Sequence, residues 1–162
     1  MDIESSFEAQ LRRAQKAALF LAYAGAVSIF GSLLSLALPE PGYGYAFSFA
    51  LSALAASYLE GWVALVPSLF VSGAAIFLAL MLAKMKKAAV FLAPIAIAVD
   101  TALLLFFPLL DYGIYQGSSG VPVAWYLAIG VHAILLVFLA LFLSAYAKLF
   151  RLNKERTSYE QH

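Results

Sequence analysis

Charge is missing from most of this sequence, and the length of the stretches that lack it decides what the chain can fold into. Apolar residues dominate from Ala17 to Leu38, from Ala46 to Ala83, from Ala88 to Leu110 and from Pro122 to Ala147. As a helix the first run measures about 33 Å, enough to cross a hydrocarbon core of about 30 Å. Only 12% of the residues are charged and 64% are hydrophobic, where soluble domains carry about 25% and about 45–50%. So few charges cannot cover a folded surface in water, so lipid has to be the solvent. In lipid every backbone N–H and C=O must be bonded within the protein, which an α-helix achieves by itself. The expectation is an all-α integral membrane protein, one membrane domain over residues 1–162.

The second run is too long for a single crossing. As one helix it would measure about 57 Å, and its only charged residue is Glu60, followed by Gly61. Divided there, Trp62–Ala83 has the length of a span and Ala46–Leu59 falls short of one. Phe47, Leu51, Leu54 and Tyr58 recur at i, i+4, i+7 and i+11, with Ser48, Ser52 and Ser57 away from that stripe. This predicts a short helix over about 46–59, lying at the outer interface or packed over the mouth of the bundle. Spans are expected at about 17–38, 62–83, 88–110 and 122–147, with a mobile polar tail from about 151 to 162. The first run follows Arg12, Arg13 and Lys16 as a signal peptide would, but it exceeds the 7–15 apolar residues of a secretory leader and is read as a retained helix. Ahead of it, Ser5 and Glu8 have capping-box spacing and Glu8 precedes Arg12 by four, so a helical turn is expected to begin near Ser6.

Charge sets the topology. With four spans, all 10 Lys and Arg residues fall on one side: Arg12, Arg13 and Lys16; Lys84, Lys86 and Lys87; Lys148, Arg151, Lys154 and Arg156. The other side holds Glu40, Glu60 and Asp111 and no basic residue. A fifth crossing by Ala46–Leu59 would split the basic clusters between the two sides. The positive-inside rule therefore predicts a four-transmembrane-helix bundle in the cell membrane, N-in and C-in. Trp62, Trp125, Tyr43, Tyr45, Tyr58, Tyr112, Tyr115 and Tyr126 gather at the opposite boundary, where amphipathic rings favour the headgroup level.

Two ionisable residues fall within the spans, Asp100 and His132. Ala89, Ala93 and Ala96 share a helical face with Asp100, and Ala124 and Ala128 share one with His132. Small residues let helix backbones approach, so both faces should point into the bundle. Asp100 and His132 lie 16 residues on either side of Gln116, the centre of their connection, so an antiparallel hairpin puts them at one height. Counting from the basic ends places Ser28 and Ser72 at nearly the same level, about 17–18 Å up. The candidates for proton transfer or substrate binding are therefore Asp100, His132, Ser28 and Ser72, as a layer near mid-membrane. A bare carboxylate there costs about 2.5–3.5 kcal/mol on insertion scales. Either a proton on Asp100 or a partnership with His132 would relieve it.

Much chemistry is excluded. No cysteine is present, so disulfides, thiolate metal sites, iron–sulfur clusters and thiol catalysis are ruled out. No nucleotide-binding, zinc-hydrolase or nucleophile-elbow motif occurs, and no cofactor or metal site is expected. A net charge of +1 gives no footing for nucleic acid. An accessory or structural subunit of a larger membrane complex fits the small-residue stripes, with other membrane subunits or self-association as partners. The alternative is a small homo-oligomeric transporter or proton-coupled channel using the Asp100/His132 pair. A membrane enzyme ranks behind both.

Overall fold

In the computed structural model, which describes residues 3–38, 45–56, 58–59, 61–106 and 123–159, all regular structure is helical. The first helix, α1 (Ile3–Leu34), has 32 residues, about 48 Å, so its charged first turns project past a hydrocarbon core. It starts before the expected capping box. Ser5 is already inside the helix, and the spacing delivers instead an ion pair between Glu8 and Arg12 at 3.2 Å. The α-helix also stops at Leu34, short of the expected Leu38. Leu36 and Ala37 bond back to the carbonyls of Leu33 and Leu34 at 3.2 and 2.9 Å, and the Ser35 hydroxyl donates to the Ser32 carbonyl at 2.6 Å. These tightened bonds satisfy the last carbonyls and close the helix.

A seven-residue helix, α2 (Ala50–Ala56), comes next. A 3-10 turn over Gly61–Ala64 then leads into α3 (Leu65–Ala83), which turns through Lys84–Lys86 into α4 (Lys87–Phe106). That turn is tight: Lys86 N–H donates to the Met81 carbonyl at 3.0 Å while Met85 takes a left-handed φ of 54°, a helix C-cap of Schellman type. The last helix, α5 (Val123–Tyr159), has 37 residues. The tail expected to be mobile beyond residue 151 is therefore helical through Tyr159. Residues 107–122, which hold the end of the expected third span and the connection after it, lie outside the described residues.

Four stretches, of 31, 22, 20 and 32 residues in α1, the 3-10 turn with α3, α4 and α5, are long and apolar enough to cross a membrane. Phe30, Phe70, Phe77, Phe91 and Ile95 on these helices are 60–78% exposed. Faces of this kind would drive association in water and are the ordinary outer surface of a protein in lipid. The fold is that of a multi-pass membrane protein.

Small residues make the inner seam. Ala14, Ala18, Leu21, Gly25, Ser28 and Ser32 on α1, and Ser35 just past its end, are all buried, at alternating steps of four and three. A Cβ built on Gly25 would stand 2.5 Å from Ile76 Cγ1 and 3.2 Å from the Ser72 carbonyl oxygen, so α1 and α3 touch almost backbone to backbone. α1 packs along the length of both α3 and α5, whereas α4 meets its neighbours sparsely. Ala14, Leu82, Ala89 and Leu149 share one apolar core. Consecutive long helices are therefore antiparallel, and the helix ends bearing Arg12, Lys84, Lys87 and Lys148 lie together.

The short helix departs furthest from expectation. The regular helix covers Ala50–Ala56 rather than the whole of 46–59, and one side of the segment packs against Leu104, Ala124 and Ala128 of the long helices. Ala46, Ser48, Ala50, Ser52 and Ala53 are buried, while Phe47, Leu51 and Tyr58 of the apolar stripe face outward. Most of the stripe thus faces outward, while its Leu54 packs against the apolar cluster. The alanines and serines between its members let the segment sink among the longer helices.

Candidate functional site

Asp100 of α4 and His132 of α5 meet inside the bundle. Nε2 of His132 lies 2.9 Å from Oδ2 of Asp100, and the two residues are 2% and 9% exposed, respectively. The expected equal heights and shared small-residue faces bring them together: Ala89, Ala93, Ala124 and Ala128 on those faces are all buried. Ala96, expected on the same packing face, is exposed instead.

The imidazole geometry fixes where its hydrogens belong. Nδ1 lies 2.8 Å from the Ala128 carbonyl oxygen. A carbonyl only accepts, so Nδ1 carries a hydrogen. One further hydrogen then sits between Nε2 and Oδ2, either on an imidazolium facing a carboxylate or on a carboxyl facing a neutral ring. The pair is electrically neutral in both arrangements, which is how it tolerates burial.

The carboxyl group has further partners that side-chain spacing does not reveal. The Ala50 N–H donates to Oδ2 at 3.1 Å and the Leu51 N–H to Oδ1 at 3.0 Å. These are donors of the first turn of α2, which an isolated helix leaves without acceptors. Asp100 acts as their cap from another helix, an arrangement worth about 0.5–2 kcal/mol when the cap is local. The preceding amide, Phe49 N–H, donates to Ser28 Oγ at 3.3 Å.

Ser28 and Ser72 form the other half of the layer, with their hydroxyl oxygens 2.8 Å apart. Among the described residues they join Asp100 and His132 through the entry to α2, where the amides from Phe49 to Leu51 bridge the two pairs. Ser48 donates to the Ser28 carbonyl at 3.0 Å and shares a hydrogen bond with Ser32 at 3.0 Å. Ser32 and Ser48 are members of the layer that the sequence reading did not single out. For Ser48 the available signal was its position opposite the apolar stripe, because burying a hydroxyl is costly unless it is hydrogen-bonded. Among the described residues, Ser52 Oγ and Gln10 Oε1 are the buried side-chain polar atoms with no partner. Thr101 stays out of the layer and donates to its own helix at the Ile97 carbonyl, 2.7 Å away.

Apolar packing closes the layer toward the basic end, whereas buried Ser35 and Ser68 accompany the apolar residues on the other side. Toward the basic end, every described buried residue is apolar or glycine, including Leu21, Leu82, Val90, Leu135 and Phe142. On the other side Tyr45, Ala46, Ala50, Ala53, Leu104, Ala124 and Ala128 form a second cluster, tied by Trp125 Nε1–H donating to the Leu104 carbonyl at 3.0 Å. The layer can hold one shared proton between Asp100 and His132 and can anchor α2.

Comparison with protein-family models, with curated proteins and with solved structures finds no match to this chain.

Proposed function

We propose that this chain is an accessory or structural subunit of a larger membrane complex, inserted in the cell membrane with both termini cytoplasmic and α2 toward the outer side. The orientation rests on the confinement of Lys and Arg to one end of the bundle. The observation that carries the subunit reading is a second small-residue stripe, on the outside of the bundle. Gly130, Ala133, Val137, Ala140, Ser144 and Ala147 are exposed on α5 at alternating steps of three and four. A Cβ on Gly130 would meet nothing within 4 Å. Such a stripe is the usual face for a neighbouring helix in lipid, and the described residues leave it uncovered. The polar layer supports the same reading, since its bonds hold the chain's own helices together.

A small transporter or proton-coupled channel is the second reading. The 2.9 Å contact of Asp100 with His132 supplies its proton-sharing pair, while the described residues packed toward the basic end offer no polar route to it.

The test is the mass and composition of the particle purified in mild detergent. Stoichiometric foreign subunits are expected, and Gly130→Leu and Ala140→Leu should release them while the chain remains folded. A bare monomer would contradict the reading, and a closed homo-oligomer would transfer support to the transporter.

A further inference from the structure

The loose seating of α4 leaves a lateral groove of about 430 Å³ between α3 and α4. Ala74 and Leu78 of α3 face Ala93 and Ala96 of α4 across it, with Leu21 and Leu135 behind. It extends from Phe70 to Leu82 on α3 and from Ala93 to Leu103 on α4, about 15–18 Å along the helices. That is close to the depth of one leaflet, half of a hydrocarbon core of about 30 Å. Among the described residues Asp100 is its only polar lining residue, and 12% of the Asp100 side chain is exposed.

We propose that this groove binds an uncharged lipid alcohol, with its chain along the groove and its hydroxyl donating to Oδ1 of Asp100. Oδ2 already accepts from Ala50 and partners His132, whereas Oδ1 accepts from Leu51. A carboxyl oxygen has a second lone pair, so Oδ1 has room for one more donor. The lining side chains offer no donor, so a ketone, ester or ether oxygen would face lone pairs without a hydrogen between them. An ammonium would bring a charge to a pair that is already neutral, and an uncompensated charge in an apolar groove is costly. A hydroxyl adds a hydrogen bond and no charge. This site is independent of the subunit reading, because it lies on α3 and α4 and the outward stripe lies on α5.

The experiment uses the full chain in lipid nanodiscs and a long-chain alcohol carrying a photoreactive diazirine. Labelling is expected between Phe70 and Leu82 and between Ala93 and Leu103, and Ala96→Phe, which fills the groove, should abolish it. Hexadecanol should displace the probe at a concentration about tenfold below that of its methyl ether, the factor expected for one hydrogen bond to a charged or strongly polar acceptor. Equal displacement by the ether would overturn the role of Asp100. Stronger displacement by hexadecylamine would overturn the choice of an uncharged ligand. Labelling spread evenly over outward residues such as Phe30 and Phe91 would reduce the groove to ordinary lipid contact and overturn the site.

Discussion

Asp100 takes part in three hydrogen bonds from two directions, two from backbone amides of α2 and one with the imidazole of α5. This changes what a conservative substitution means. An asparagine has a single acceptor oxygen, so in Asp100→Asn either Ala50 or Leu51 loses its acceptor. A buried donor left unpaired costs about 1–3 kcal/mol, so Asp100→Asn should lower unfolding stability in a fixed detergent by about that amount. Asp100→Leu should cost more, since both amides and His132 lose their partner. An asparagine variant as stable as the parent would contradict the bond pattern. Seen from side chains alone, asparagine looks equivalent, because it keeps size and hydrogen-bonding capacity. The heights of Asp100 and His132 could be counted from helix rise. The amides of Ala50 and Leu51 could not, because the depth of their segment depends on which of its faces is buried.

At the scale of elements, the decisive quantity is how closely two helices approach. Gly25 sits where α1 meets α3, and Gly73 sits on α3 where an added Cβ would meet nothing within 4 Å. Gly25→Ala should therefore destabilise by about 1–3 kcal/mol through overpacking. Gly73→Ala should be neutral or stabilising by about 0.5–1 kcal/mol, the helix-interior cost of glycine. Unfolding of the two variants side by side checks both, and equal effects would contradict the close contact. The four long helices were legible as apolar runs of sufficient length. Their ends were less so, because α1 and α5 continue as helix through charged turns where hydropathy no longer signals structure. The short helix was read by its apolar stripe, as in water, although in lipid the small residues face inward. Ala96 shows the same limit from the other direction. Its spacing matches a packing face, yet the sparse contact of α4 with its neighbours leaves it lining a groove.

The whole molecule is an antiparallel bundle in which α1 is the central strut between α3 and α5, and α4 is held by sparser contacts, among them Ala89, Ala93 and Leu104 in the two apolar clusters and the bonds of Asp100 and Trp125. Its polar layer lies between two apolar clusters, and all described basic residues stand at one end. Each of these statements about depth presupposes four crossings with a buried, non-crossing α2. The most direct test places single cysteines at Ser5, Ser118 and Ser158 in this cysteine-free chain and labels intact vesicles with an impermeant maleimide. Ser118, between α4 and α5, should label from one side of the membrane, and Ser5 and Ser158 should both label from the other. Labelling of Ser5 and Ser158 from opposite sides would mean an odd number of crossings and would contradict the four-helix topology.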